Sequence, residues 1–348
     1  MSDALELVQS ASLEYSIQLL ENGGAEQNPE DWWLALKKTT SQVLNESKTN
    51  PDSIQGISFC SQMQGLVLVD SEFQVVRPAM SYMDQRATLE MKEGIVHGLK
   101  IEGINAVKLL LSLWITGAVA ASVKDPIWKY KWVEKNEPEI FSKAKWWLDV
   151  KEFLIARCTN VAVMTRDSAF ATFLYNSRKG KGNWSPLLCK LFGVRLDHLP
   201  KIVNSSDKVG GLTKEAADFL GLKENISVFG GGGDASLIGV GAGAVKEGDT
   251  HIYAGTSGWI STVTKKRTVD IGARIASIVG AREGYYNYFG EQETSGKCLQ
   301  WVKDHLALDE IDLYLEKKKS RMAQKPYMQV YLSLCLIPLR TQSLVRKV

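Results

Sequence analysis

The chain has 348 residues, 45% hydrophobic and 23% charged, with a formal net charge of +3. That length suits two domains, each able to bury a core. So small a net charge, with no Lys/Arg-rich arm interleaved with aromatics, points away from nucleic acid. The five cysteines, Cys60, Cys158, Cys189, Cys298 and Cys335, lie far apart, with no CxxC and no zinc-ligand spacing. They read as reduced thiols, and the expected compartment is the cytoplasm. MSDALELVQS lacks a basic stretch before an apolar core, and no apolar run reaches the roughly 20 residues that cross a bilayer. Neither a signal peptide nor a membrane partner is therefore expected.

In chain order, ASLEYSIQL (11–19) alternates as a strand does. The next stretch predicts a helix: Asn28 is its N-cap, Pro29 stands in its first turn, Glu30 and Asp31 lie at the positive dipole end, and Trp33, Leu36, Thr40 and Val43 form its inner face. SIQGISFCSQ (53–62) and GLVLVD (65–70) read as strands, and the SEFQ turn followed by VVRPAMSYMDQRA reads as hairpin-like. Residues 88–116 are helical in pattern, interrupted by Gly98 and Gly103. Residues 126–160 are also helical in pattern, with Trp128, Trp132, Trp146 and Trp147 as core candidates. SRKGKGNWS (177–185) is a basic surface loop. NISVFGGGGD (225–234) is a buried strand running into a glycine loop, ASLIGVGAGAV a small-residue helix, and THIYAGTSGWISTVT (250–264) a strand, a turn and a strand. ETSGKCLQWVKDHL and DEIDLYLEKKKSRM predict helices. Beyond Glu316 acidic residues vanish, and VYLSLCLIPL suits an edge strand or a segment that pairs with nothing. Hairpins followed by helices, twice over, indicate α/β domains with mixed sheets.

Three segments carry chemistry. In GGGGDAS the glycines let backbone approach a ligand, and Asp234 stands at the end of a strand entering a helix. It suits a base that activates a hydroxyl for attack on phosphate, or only a helix-capping aspartate in a flexible turn. In AGTSGW (254–259) the backbone N–H groups and the hydroxyls of Thr256 and Ser257 make an anion nest, or a plain hairpin turn. No Walker A ending and no GxGxxG between strand and helix is present. In SQMQGLVLVD and VVRPAMSYMDQRA the polar groups Gln62, Gln64, Asp84, Gln85 and Arg86 gather at two strand ends, as polyol recognition requires or as a solvated hairpin end allows.

Together and in this order, QMQG, RPA, YMDQR, GGGD (Gly231 to Asp234) and GTSG (Gly255 to Gly258) resemble the FGGY family of carbohydrate kinases, its xylulokinase-like members above all. NEPEIF (136–141), TRDSAFAT (165–172) and LPKIVNSSDKVGGLT (199–213) also look like that family, and the resemblance covers roughly residues 11–315. It implies two RNase H-like domains of the actin and sugar-kinase type with a cleft between them. The sugar-binding domain is expected over 1–226 and the nucleotide-binding domain over 227–348. It also implies ATP with Mg²⁺, a sugar substrate, Asp234 as catalytic base, sugar contacts at Met63, Gln64 and Asp84, and phosphate contacts at Gly255, Thr256, Ser257 and Gly258. No side chain is assigned as a metal ligand, and a homodimer is left open.

The departures are as informative. Gln64 stands where many members have histidine, Tyr82 and Met83 where many have tryptophan and asparagine, and Ala235 where many have asparagine. The substrate is therefore expected among xylulose, other ketoses and polyols. The family's opening DxGT hairpin and its adenosine segment have no counterpart here, and the tail diverges from about residue 317. Both domains are thus expected to be incomplete, the first lacking its opening hairpin and leaving a sheet edge unpaired. Little or no kinase activity is expected of the chain as it stands. The alternative is a non-catalytic remnant that binds a sugar or a partner. A chaperone-like ATPase of the same superfold is disfavoured by QMQG and YMDQR.

Overall fold

The computed structural model describes all residues except 2–5, 256–257, 271–274, 293–294 and 307–348. The strand expected over 11–19 shrinks to Gln18–Leu19, paired with the start of β1 (Ala25–Gln27). Its alternation finds no sheet face to bury against: Leu13, Leu19 and Leu20 stay 41%, 68% and 38% exposed. α1 (Pro29–Ser47) starts as its sequence dictates, with the Asn28 side chain accepting from Glu30 N–H. It buries Trp32, Trp33, Leu36, Thr40 and Leu44.

The strand expected over 53–62 breaks into β2 (Gly56–Ile57) and β3 (Cys60–Ser61). β4 (Val67–Val69) and β5 (Ala79–Met80) form the expected loose hairpin, in which Leu66 faces Met80 and Val69 faces Val75. α2 (Thr88–Ile95) and α3 (Ala106–Ile115) follow, separated by a small hairpin where Gly98 and Gly103 take positive φ. The helix expected through 126–160 holds for α4 (Pro126–Asn136), a short turn at Pro138–Phe141 and α5 (Val150–Thr159). It fails at Trp146–Leu148, which is strand β6, antiparallel to β4. Pro138 ends the helix before it, and Trp-Trp-Leu packs well on a pleated surface. Strand parity then divides the interior. Val67 and Val69 point into one core with Trp32, Ile57, Phe59 and Phe153, while Leu68 points into another with Trp128, Tyr130 and Trp147.

β7 (Val163–Thr165) leads directly into α6 (Arg166–Ala171) and pairs in parallel with β8 (Lys201–Val203). β9 (Lys208–Gly211) and α7 (Lys214–Leu220) precede the glycine segment, which is β10 (Ser227–Phe229), β11 (Gly232–Gly233) and α8 (Asp234–Gly241). β10 lies between antiparallel β9 and parallel β2, and β11 pairs in parallel with β3.

The rest is an antiparallel sheet of β12 (Thr250–Ala254), β13 (Gly258–Thr264), β14 (Val269–Asp270), β15 (Ile275–Val279) and β16 (Tyr286–Gln292), in the order β12-β13-β16-β15-β14. α9 (Gly296–Leu306) follows it. A small third core of Met164, Phe170, Tyr175 and Val279 joins this sheet to the earlier part. Arg267 Nε donates to Ser177 Oγ at 2.7 Å and Tyr286 donates to the Ser177 carbonyl at 2.9 Å across the same seam. The mixed α/β class expected from the sequence is the one observed. The helix expected over 309–322 and the edge strand expected in the tail lie outside the described residues. Among the described residues no helix is long and apolar enough to cross a membrane.

Candidate active site

Residues 56–61 and 227–233 run side by side in parallel, Val228 opposite Ile57, Gly232 opposite Cys60 and Gly233 opposite Ser61. Their carboxyl ends therefore emerge together, bringing Gln62-Met63-Gln64 next to Asp234. The carboxyl ends of parallel strands are where open α/β sheets present ligand-binding loops. β7 ends at the same place with Thr165, Arg166 and Asp167.

The glycine turn is held by backbone bonds. Gly231 N–H donates to Ser205 O at 2.9 Å, Gly232 N–H to Phe59 O at 3.1 Å, and Gly233 N–H to Asp167 Oδ2 at 2.8 Å. Gly231 has φ +66°, and a Cβ there would overlap the Phe59 carbonyl. At Gly233 a Cβ would overlap the Met63 side chain, so the glycine is what lets the QMQG segment close onto the turn.

Asp234 opens α8 and turns Oδ1 back to accept from Ala235 N–H at 2.8 Å. Burial pushes its pKa up to about 6, against the lowering effect of that N–H; the nearby charges of Asp167 and Glu291 raise it further. Tyr82 faces the same carboxylate: burial raises its phenol pKa, and Asp234 and Tyr253 add to the rise. A carboxylate tuned close to neutrality is ionised at pH 7 yet basic enough to take a proton from a hydroxyl.

The neighbouring segment is clamped from below. Gln64 takes φ +63°, unusual for a side chain with a Cβ. Its carbonyl accepts from Lys129 Nζ at 2.8 Å, and the same ammonium donates to Ser81 O at 2.7 Å. Gly65 N–H donates to Asp149 Oδ1 at 3.1 Å. Lys129 is fully buried; burial brings its pKa down to about 8, opposed by Asp84, Asp149 and Asp125. Asp149 itself is pushed well above the usual carboxylate range, by burial first and by Glu152 second.

Asp84 is 0% exposed. Its Oδ2 accepts from Ala25 N–H at 2.8 Å and from Arg86 Nη2 at 2.8 Å, and its Oδ1 accepts from Arg86 N–H at 3.1 Å. Arg86 also pairs with Glu26, which pairs with Arg77, which pairs with Glu137. The structure thus brings Met63, Gln64 and Asp234 to one place and turns the Asp84 side chain inward.

The AGTSGW turn joins β12 to β13, with Tyr253 stacked on Trp259 at 4.0 Å between ring centroids. Thr256 and Ser257 lie outside the described residues. Gly255 O accepts from Gly296 N–H at 2.7 Å, and a Cβ at Gly258 would come within 2.8 Å of Ser295 Cβ. Gly255 and Gly258 are therefore packed tightly against Gly296 and Ser295 at the start of α9. As to a divalent ion, among the described residues no three His, Cys, Asp or Glu side chains converge to hold one.

Sequence reasoning missed Lys129, Asp149, Lys151, Glu152, Asp167, Tyr253 and Glu291. A signal existed for some of them: in WWLDVKEFLIA and in TRDSAFA, charged residues interrupt runs that are otherwise apolar or small.

Comparison with known proteins agrees with this geometry. The model of the FGGY family of carbohydrate kinases, N-terminal domain, matches residues 1–241. A xylulose kinase of Bacillus subtilis (strain 168) is 30% identical over 299 residues, covering 83% of this chain and 55% of that protein. A gluconokinase of the same organism is 28% identical over 308 residues, covering 88% of this chain and 57% of that protein. The chain therefore spans little more than half the length of these curated relatives. Among solved structures, ligand-bound xylulose kinase from Lactobacillus acidophilus superposes with a TM-score of 0.72 at 22% identity, covering 84% of this chain and 56% of that one. Plasmodium falciparum glycerol kinase with ADP superposes with a TM-score of 0.75 at 18% identity, covering 88% and 60%. At such identities the likeness speaks for the fold, which is that of sugar kinases of the actin and RNase H-like type. With that fold, the family match across its first 241 residues and the strand ends in the order read from the sequence, the chain belongs to the FGGY family of carbohydrate kinases.

Proposed function

We propose that this site takes a hydroxyl of a ketose, sugar acid or polyol between the Met63–Gln64 segment and Asp234. Asp234 removes the hydroxyl proton as the oxygen bonds to the γ-phosphorus of ATP and the bond to the departing ADP breaks. The nucleotide supplies the phosphoryl group, and a divalent ion carried with it offsets phosphate charge. The chain's own residues bind, orient and accept the proton. Gln64 offers an amide to the substrate, and Met63 packs the glycine turn against the segment that holds it. We infer that Asp84 acts from behind, fixing Arg86 and Ala25, rather than by touching the sugar. Division at residue 226, with the sugar on the earlier side and phosphates near Gly255, Thr256, Ser257 and Gly258, belongs to the same proposal. The named relatives motivate xylulose and gluconate as first substrates to test, and the altered Gln64, Tyr82, Met83 and Ala235 motivate a wider panel.

The observation that carries this reading is Asp234: a carboxyl tuned to about 6, beside the QMQG segment at the end of a parallel strand pair. The test is calorimetry with xylulose, ribulose, gluconate and glycerol, beside a coupled assay of ADP release. In keeping with the expectation for the chain as it stands, sugar-dependent turnover is expected to be low, and Asp234→Asn is expected to cut what there is by roughly 10²- to 10⁴-fold while binding changes little. Heat of binding without ADP release favours the alternative, a sugar-binding remnant. No heat and no turnover across the panel rejects both.

A further inference from the structure

Behind Asp234 lies a buried chain of polar groups that the proposed chemistry does not use. Lys151 and Glu152 on α5 are both 0% exposed and form an ion pair, while Thr165, Asp167 and Ser168 at the end of β7 and the start of α6 are 0%, 1% and 2% exposed. Lys151 Nζ donates to Thr165 Oγ1 and to Ser168 Oγ, each at 2.6 Å. Thr165 Oγ1 donates to Asp167 Oδ1 at 2.5 Å, and Ser168 N–H donates to the same oxygen at 3.0 Å. The other carboxylate oxygen leaves its own helix and accepts from Gly233 N–H at 2.8 Å. That N–H belongs to the residue immediately before Asp234.

We propose that Asp167 is a positioning residue for Asp234: it grips the glycine turn at Gly233 and is itself held by Lys151 through Thr165 and Ser168. This rests on the reading of Asp234 as the base. A turn of glycines has no side chains to fix its conformation, so a base mounted on it needs an external anchor. Asp167 supplies one from a different element. It also supplies charge. Two buried carboxylates, Glu152 and Asp167, face one buried cation, Lys151, and the excess is negative. Burial works against the charged Lys151, yet Glu152, Asp167 and Asp149 hold its pKa above the ordinary value, so the cation stays in place. The groups facing Asp234 from the elements around it are Asp167 on α6, Glu291 on β16 and Tyr82 after β5, and Tyr253 on β12 acts on Tyr82 in turn. His251 on β12 packs against Gly239 of α8 on the same helix. Removing the Asp167 charge leaves Glu291 and the tyrosines, so the Asp234 pKa moves down.

The experiment is a ¹³C carboxyl NMR titration of the full chain, with the Asp234 signal assigned by its loss in Asp234→Asn. In Asp167→Asn the Asp234 midpoint is expected to fall by at least about 0.5 pH unit. Thr165→Val keeps the charge and removes the hydroxyl link to Lys151, leaving only the one through Ser168. It is expected to leave the midpoint within about 0.3 pH unit while Gly233 amide exchange speeds up about tenfold. Where turnover is measurable, the acid limb of kcat/KM moves down with the Asp167→Asn midpoint. An Asp167→Asn protein that loses stability while its Asp234 midpoint stays fixed overturns the proposal. So does unchanged Gly233 exchange in Thr165→Val, which decides the matter should Asp167→Asn fail to fold. The titration needs no substrate, so absence of kinase turnover rejects the proposed function without touching this result.

Discussion

Asp84 and Asp234 are two carboxylates at neighbouring strand ends, and their surroundings have opposite character. Around Asp84 every charge has a partner: Arg86 bridges it to Glu26, Arg77 bridges Glu26 to Glu137, and the ammonium of Lys129 lies beneath. Around Asp234 the charged groups that act on it, Asp167 and Glu291, are both negative. The first arrangement is architecture. A buried carboxylate whose acceptor sites are filled by an arginine and a backbone N–H holds strands in register and has little left for a ligand. The second is a carboxylate kept short of stabilisation, which costs the fold something and fits the base proposed for it.

The largest test of that contrast falls on the compensated side. Lys129→Met keeps the side-chain length and removes the charge. It strands the carbonyl of Gln64 without a donor, leaves the carbonyl of Ser81 with the Asp84 N–H alone, and leaves Asp84, Asp149 and Asp125 without their shared cation. Breaking a buried pair of this kind costs about 3–5 kcal/mol, and denaturant unfolding followed by tryptophan fluorescence will read it. A loss under about 1 kcal/mol would show that the region beneath the QMQG segment is not held by its charges.

The opposite sign is expected at Asp234. Its folded pKa of about 6 lies above the value of about 3.9 for an unfolded aspartate. Between those values the folded state binds more protons than the unfolded state. The group therefore favours folding at low pH, and that contribution is lost as pH rises from about 4 through about 6. Asp234→Asn removes the penalty and still accepts from Ala235 N–H. The variant is expected to be more stable than the parent at pH 7 by about 1–3 kcal/mol, a gain that shrinks toward pH 4. Urea midpoints of the two proteins at pH 4.5 and pH 7 decide it. A variant less stable at both values would put Asp234 in the same class as Asp84.

The two carboxylates also differ in how legible they were. Asp234 was readable because the glycines before it and the GTSG turn after it are consecutive in the chain, and local spacing carries that information. The helix at 29–47 was readable for the same reason, from Asn28, Pro29 and the acidic first turn. Asp84 was expected as a sugar contact because of the resemblance, while its sequence neighbours fitted a polyol site or a solvated hairpin end alike. Its partners are Arg86, two residues on, and the N–H of Ala25, 59 residues away; Arg86 is held in turn by Glu26, and only tertiary pairing brings Ala25 and Glu26 in. Lys129 and Asp167 were missed on the same grounds: each is defined by a carbonyl or N–H from a segment distant in sequence. Trp146–Leu148 was misread as helix because three bulky residues carry no period of their own, and β4 decided their conformation.

The smallest effect is expected where the two regions meet. Gln64 sits in the left-handed region at φ +63°, which costs a residue with a Cβ roughly 1–2 kcal/mol and costs glycine almost nothing. Lys129 on its carbonyl and Asp149 on the next N–H hold it there, so the strain is imposed by the compensated region on a residue next to Met63, which packs on the glycine turn. Gln64→Gly relieves that strain but adds chain entropy to the unfolded state, and the two largely offset each other. Folding stability is therefore expected to change by less than about 1 kcal/mol, with the turn geometry kept. Sugar binding, by contrast, loses the amide and weakens by about 1–2 kcal/mol, roughly five- to thirtyfold in Kd by calorimetry. Unchanged stability with weakened binding means that Gln64 is strained in order to present its side chain. Weakened binding accompanied by a large loss of stability would mean instead that its side chain helps to hold the fold, as that of Asp84 does.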